Sequence, residues 1–545
     1  MEERSGHLFF VVFFFLCLTH NFFTIAHAEN LKPNVVIITT NELGIKAIKH
    51  YWRYLKNIEE LSSNAIQFNH VYSHLYPTSS MAALLTARLP VKTGMLKGRF
   101  LPFTTLPSIA SSGGLPLSEI TLAELLKENG YTSSFVGFWN QGLGSSGKFL
   151  PINQGFDSWF GIVAHPTIEC FGNFGRTHKM VVNETFSLIF QIIFLSVFII
   201  LSVWCLCFLK ARLISSMIVL GVVLYLTNIK SSFIVNRACV LYQNNHIAGQ
   251  PYDVGNLTLR FTNEALGFIK ATPSPFLLMI NHLHLSSRST SMFFKNTSEK
   301  NDEIIDSLVE LDWSVGSILK TIDVLKLKNN TIVVFTALSG GHSIPTNTLE
   351  GIAGILNTWE THLCVPLFIK NPILYQQRQT ISQSVTLMDI MPTVLDYIGA
   401  KTPSHSINGK SLINVTQDQD MALHKYIFHH LQVTRPSSVT HKDFKVYFSF
   451  MSEKGLQHQD PPLLFNIKED PNETSPLPNV EYSELLANIT EELEKQTVNQ
   501  SRKWISQFEH PILPWLFPCN NFPYCHQRDV ERLQHVVFNQ SLLFK

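Results

Sequence analysis

Charge is what this sequence has least of. Only 15% of its 545 residues are Asp, Glu, Lys or Arg, and the formal net charge is +1. That balance gives no electrostatic basis for binding nucleic acid or a strongly anionic surface. Cysteine is scarce as well, with 8 in all, and none lies between Cys17 and Cys170. That gap excludes any nucleophile made from cysteine over the intervening stretch. Internal repeats and low-complexity tracts are absent too, so a repeat architecture has no support.

What the chain does have is apolar residues: 45% of the total, 40 of them Phe. The length suits one large α/β core or two domains, and the apolar tilt points to membrane-embedded segments in an otherwise globular protein. Leu8 to Leu18 is an apolar run, and Ala26-His27-Ala28 offers the small residues of a cleavage site, so residues 1–28 read as a signal peptide. Glu2 and Glu3 offset Arg4 there, and an uncleaved anchor is the other reading. Phe186 to Leu209 carries no charge and is long enough to cross about 30 Å of hydrocarbon. Lys210 and Arg212 follow as a tight basic turn, and Leu213 to Ile229 is a second apolar run. We read residues 184–232 as a transmembrane helical hairpin, with a pair of buried core helices as the alternative. The positive-inside tendency keeps the basic turn cytosolic and both flanks lumenal.

Glycosylation triplets agree with a lumenal setting. Asn183, Asn256, Asn296, Asn329, Asn414, Asn472, Asn488, Asn499 and Asn539 each begin N-x-[ST] without Pro. Cys170, Cys239, Cys364, Cys519 and Cys525 would then face an oxidising compartment, and their odd number leaves at least one without an internal partner.

The hydrophobic pattern alternates between strands and helices. Asn34 to Thr39 and Tyr131 to Trp139 read as strands, as do Pro275 to Asn281 and Thr331 to Thr336. Thr121 to Gly130, Asp302 to Leu325 and Val385 to Gly399 read as helices. This alternation predicts an α/β fold with a mostly parallel sheet sandwiched by helices. From about Lys425 the texture changes to short alternating segments, Tyr426 to Thr434, Lys442 to Met451 and Leu463 to Ile467, with a helix from Ser483 to Gln496. These predict a small antiparallel subdomain over 425–545, after α/β parts at 29–183 and 233–424.

One stretch carries a resemblance. Tyr76-Pro77-Thr78-Ser79-Ser80-Met81-Ala82-Ala83-Leu84-Leu85-Thr86-Ala87-Arg88, followed by Thr93-Gly94, resembles the sulfatase signature C-x-P-S-R-A-A-L-L-T-G-R with its trailing T-G. Trp313-Ser314-Val315-Gly316, Val365-Pro366 after Trp359-Glu360, and Asp460-Pro461-Pro462-Leu463-Leu464-Phe465 are similar to the steroid-sulfatase-like arylsulfatase branch, which also carries a membrane hairpin. The resemblance implies an alkaline-phosphatase/sulfatase-like fold in the endoplasmic reticulum membrane. It also implies a Cys170–Cys239 disulfide bracketing the hairpin, and Cys519 with Cys525 is a second candidate pair. The family's chemistry uses a formylglycine made from the leading Cys, a calcium ion held by oxygen ligands, and cationic side chains around the sulfate.

Laid on this sequence, those parts are missing. The Cys position holds Pro77 and the signature Arg position holds Met81. The calcium positions fall on Asn41, Glu42, Leu338 and Ser339, with Gly340 and His342 retained. The Lys and His of the G-K-W-H segment fall on Phe138 and Asn140, the second His of the H-x-H pair on Ser286, and the active-site Lys on or near Ile355. His284 remains. Thr78, Ser79 and Ser80 offer hydroxyls, but a hydroxyl without a base or metal is a poor nucleophile. A new site built from His282, His284, His342, Glu42 and Asn41 would suit zinc; ordinary core or pocket histidines are the simpler reading. The sequence thus predicts a sulfatase-like membrane glycoprotein without catalysis or cofactor, open to a sterol or aryl sulfate ligand or a partner. A divergent sulfuric ester hydrolase is the alternative.

Overall fold

A computed structural model describes residues 32–96, 109–166, 239–285, 290–291, 293–295, 302–341, 357–371, 379–418, 422–452, 454–499, 506–511, 513–521 and 525, without the side chains of 497–499 and 514. The signal peptide, the 184–232 hairpin, Cys170, Asn183, Ser286, Asn296, His342, Ile355 and Asn539 lie outside the described residues. Among the described residues, no helix is long and apolar enough to cross a membrane.

The strands are β1 (Asn34–Thr40), β2 (Ile66–Tyr72), β3 (Thr132–Phe138), β4 (Ser158–Ile162), β5 (Leu241–Gln243), β6 (His246–Gly249), β7 (Phe276–His282), β8 (Thr331–Ala337), β9 (Cys364–Lys370) and β10 (Gln379–Thr386). A second group comprises β11 (Ile427–His429), β12 (Ser438–His441), β13 (Phe444–Ser452) and β14 (Gly455–Asn466). The helices used below are α1 (Ile45–Tyr51), α2 (Lys56–Ser63), α3 (Pro77–Thr86), α4 (Leu122–Glu128), α5 (Leu257–Ala271), α6 (Glu303–Val324), α7 (Glu360–Leu363), α8 (Ile390–Tyr397) and α9 (Ser483–Asn499).

β1 to β10 form one sheet in the order β10-β2-β9-β8-β1-β7-β3-β4-β5-β6. β1 sits at its centre and runs parallel to β7 on one side and β8 on the other. All three are buried throughout. Burial on both faces is why they read as near-continuous apolar runs rather than alternating ones. α5 packs on β3 and β7 and pairs with α6, which in turn packs on α2.

The expectation of a mostly parallel sheet needs correction, because the sheet is mixed. Five of its pairings are parallel and four are antiparallel. β9, inserted between β2 and β8, runs against both, and at the far edge β5 runs against both β4 and β6.

The helix expected over Val385 to Gly399 also starts later. Val385 and Thr386 end β10, a 3₁₀ turn follows at Leu387–Asp389, and α8 begins at Ile390. The Asp389 carboxylate accepts from the Thr386 backbone N–H at 2.7 Å, the capping box that sets the start of the helical run after Thr386.

β11 to β14 form a separate antiparallel sheet in sequence order. Val439, Val446, Phe448 and Leu464 pack under Leu486, Ile489 and Leu493 of α9. Trp359 from the large domain packs with Tyr447 and Phe465 of the small sheet. Cys519 and Cys525 are joined by a disulfide. Cys239 is disulfide-bonded as well, and Cys364 is free and buried.

Candidate functional site

α3 begins as its sequence dictates. Tyr76 is extended and Pro77 occupies the first turn, where a missing N–H costs nothing and a fixed φ favours the helix. Thr78 to Thr86 are all buried, Met81 with no exposure. The helix ends at Ala87, whose φ of 54° is left-handed and whose N–H donates to Ala83 O at 2.8 Å. This is the position of the signature's Gly, and an alanine holds the same cap against the steric cost of that region. Arg88 donates to both carboxylate oxygens of Glu119 at 2.7 Å. The surviving part of the motif therefore does structural work: it shapes, ends and anchors the helix.

The other predicted positions gather at the carboxyl ends of β1, β3, β7 and β8, where an open α/β sheet places its ligand. Backbone bonds hold them there. Asn41 N–H donates to His282 O at 2.9 Å, Leu338 N–H to Thr40 O at 2.9 Å, and Leu43 N–H to Ser339 O at 2.8 Å. Gly340 N–H donates to His362 O at 2.7 Å. A Cβ on Gly340 would stand 2.2 Å from the Thr361 carbonyl oxygen, so its retention needs no catalytic reason.

Asn41 is buried and Glu42 half-buried; burial pushes the Glu42 carboxyl up to about 7, with the His362 imidazole acting in the opposite direction. Leu338 is wholly buried and Ser339 nearly so. Phe138 is buried and sets its ring edge-on to His165 at 5.6 Å between centroids.

Asn140 and its neighbour Gln141 form a chain with α3. Gln141 Nε2 donates to Thr78 O at 3.0 Å and to Asn140 Oδ1 at 2.7 Å. The Asn140 Nδ2, the Gln141 Oε1 and the Thr78 Oγ1 are buried without a hydrogen-bond partner.

On the other side of β7, His284 Nε2 lies 3.6 Å from Glu310 Oε2 on α6. Burial pushes the Glu310 carboxyl up to about 8 and the His284 imidazole down to about 3. His282 Nε2 and Ser314 Oγ are 3.2 Å apart, and Ser314 Oγ lies 2.7 Å from Thr262 Oγ1. Both histidines are buried, and His282 Nδ1 and both ring nitrogens of His284 lack a hydrogen-bond partner among the described residues. Among the described residues, the one group of His, Cys, Asp and Glu close enough to hold a metal is His70, Glu360 and Cys364. It contains none of Asn41, Glu42, His282 or His284, and its carboxylate already pairs with Lys445 at 2.7 Å. A cavity of ≈ 150 Å³ lined by His74, His424, Tyr426 and Phe428 lies elsewhere, against the small sheet.

The structure therefore brings Asn41, Glu42, Phe138, Asn140, Leu338 and Ser339 to the carboxyl end of the sheet's central strands, with Asn140 linked through Gln141 to the start of α3. Sequence reasoning missed Gln141 and Glu310 as parts of this region. A signal for Gln141 existed, since it directly follows a position aligned with a catalytic residue.

Comparisons place this architecture. The sulfatase PsFucS1 from Pseudoalteromonas superposes with a TM-score of 0.64 at 18% identity, covering 90% of this chain and 93% of that one. The structure of Ps i-CgsB gives a TM-score of 0.61 at 19% identity, covering 87% and 95%. The fold is that of a sulfatase. The sulfatase family profile matches residues 33–400 and the profile for the C-terminal region of aryl-sulfatase matches 409–527, so this chain belongs to the sulfatase family. Human steryl-sulfatase is 29% identical over 96% of this chain and 95% of its own length. Human arylsulfatase H is 28% identical over 91% and 97%, and human arylsulfatase D 28% over 94% and 95%.

Proposed function

We propose that this chain is a non-catalytic member of the sulfatase family, a glycoprotein held in the endoplasmic reticulum membrane by its 186–229 segment with the globular part in the lumen. The carrying observation is Pro77 at the nucleophile position, its ring built into the first turn of α3, with no cysteine between Cys17 and Cys170 to replace it. The rest of this end of the sheet supports the same reading. Met81, Phe138 and Leu338 put hydrocarbon where the family has Arg, Lys and a carboxylate, and all three are wholly buried. Leu338 offers no oxygen, and Asn41, Glu42 and Ser339 alone do not make the carboxylate-rich set a hard divalent cation needs. The donors do not fit calcium.

Similarity to steryl-sulfatase and the arylsulfatases supports a sterol-like or aryl ligand and a secretory-pathway location. Asn329, Asn414, Asn472 and Asn488 are exposed and Asn256 half-exposed, as glycan acceptors must be. The test has two arms. Full-length protein from secretory-competent cells is expected to contain no stoichiometric calcium and to release no phenol from 4-methylumbelliferyl sulfate. Calcium-dependent release would instead establish the alternative, a divergent aryl or steroid sulfatase. Carbonate extraction checks the anchor: the protein is expected to stay with the membrane, and release into the supernatant would refute the hairpin.

A further inference from the structure

The amide chain beside α3 has a definite polarity. Thr78 O is a carbonyl and can only accept, so Gln141 must turn its Nε2 toward it. That nitrogen also faces Asn140, which must then present Oδ1. The two orientations are thus fixed by an atom whose identity is certain. What remains free is the Asn140 Nδ2 amide with both its N–H donors, the Gln141 Oε1 acceptor, and the Thr78 hydroxyl, which can donate and accept.

Asn140 is 2% exposed, and Gln141 and Thr78 have no exposure. Buried polar atoms without partners are uncommon in folded proteins, and three of them on residues linked through Gln141 Nε2 call for a hydrogen-bonding occupant. No hydrogen bond or ion pair joins any of the three to a Lys or Arg among the described residues.

We infer that this end of the sheet binds the free hydroxyl of an alcohol or phenol in preference to the corresponding sulfate ester. The inference rests on the non-catalytic reading above and names its ligand class. A hydroxyl donates once and accepts, so it can satisfy Gln141 Oε1 and Asn140 Nδ2 together, with Thr78 Oγ1 as a third partner. A sulfate monoester carries only acceptors and a full negative charge. It would leave Gln141 Oε1 facing another acceptor, and among the described residues no Lys or Arg is paired with these groups to offset its desolvation. A polar site built for one hydrogen-bonding pattern rejects a ligand that leaves its groups unpaired.

The test measures binding of two ligand pairs to the full-length protein by calorimetry. The pairs are 4-methylumbelliferone with its sulfate and a 3-hydroxysteroid with its 3-sulfate. The free hydroxyl forms are expected to bind at least about tenfold tighter, the effect of one well-placed hydrogen bond. Thr78→Val, which removes an unpartnered hydroxyl at constant shape, is expected to keep Tm while weakening the hydroxyl forms about tenfold and leaving the sulfates unchanged. Asn140→Asp removes the donor, keeps an acceptor for Gln141 and serves as the second variant, with the same loss expected. Equal or tighter binding of the sulfates overturns the inference. So does absence of binding by either form, or unchanged affinity in both variants. Phenol release from the sulfate during titration would instead refute the non-catalytic reading, so the two failures are distinguishable.

Discussion

At the scale of single residues, changed chemistry and retained packing stand side by side along α3. Met81 stands where a signature arginine would, yet it is wholly inside the core. Met81→Arg is therefore expected to destabilise the fold by about 3 kcal/mol or more, read as a lowered urea midpoint, because it buries a charge without a partner. A neutral effect would mean that an anion or an open polar pocket still receives the side chain. Glu310 gives a second residue-scale prediction. Its folded value near 8 lies above the ordinary 4.5, so the folded state binds the proton more tightly. The stability this lends is complete below pH 4.5 and is lost as pH rises to about 8. Glu310→Gln is expected to remove that downward slope between pH 5 and 8, checked by denaturation across the range.

At the scale of elements, the strongest coupling is between the two sheets. Lys445 on β13 is wholly buried, with its ammonium 2.7 Å from Glu360 Oε1 on α7 and 3.6 Å from Glu473 Oε1. Tyr72 of β2 donates to Glu360 at 3.2 Å, and Tyr447 donates to Glu473. Lys445→Met would strand two buried carboxylates, with an expected cost of about 3–5 kcal/mol. Limited proteolysis should then cut the small sheet first; unchanged resistance would argue against the network.

None of these pairings was legible in the sequence, since Lys445, Glu360 and Glu473 are far apart in it. β1, β7 and β8 were legible because burial on both faces makes them unbroken apolar runs. β9 was not recognised as an antiparallel intruder, because an apolar run carries no direction. The small sheet was read as to class but not in detail: β12 was missed, and β14 begins at Gly455, before the expected Leu463. At the site, each substituted position was visible by alignment to the motif. The free donor and acceptors of Asn140, Gln141 and Thr78 were not, because they depend on which way two amides turn.

For the whole molecule, buried histidines and carboxyls set opposing pH dependences. Burial holds His74 and His284 down to about 3 and His165 and His430 to about 4, so the unfolded chain takes up their protons first as pH falls below 6.5. The stability they confer is present above 6.5 and lost toward pH 3–4. Glu42 and Glu310 act in the other sense up to about 7 and 8. Stability is expected to peak near pH 6.5 and to fall steeply in acid. Thermal denaturation from pH 4 to 9 checks this, and a maximum below pH 5 would contradict it.

The claim on which the rest depends is that a sulfatase scaffold persists here without sulfatase chemistry. Its most direct test is turnover of a steryl sulfate by the purified full-length protein in excess calcium, beside human steryl-sulfatase prepared in the same way. The account predicts product from the human enzyme and none above buffer from this protein. Sustained, calcium-dependent release of the free sterol would contradict it.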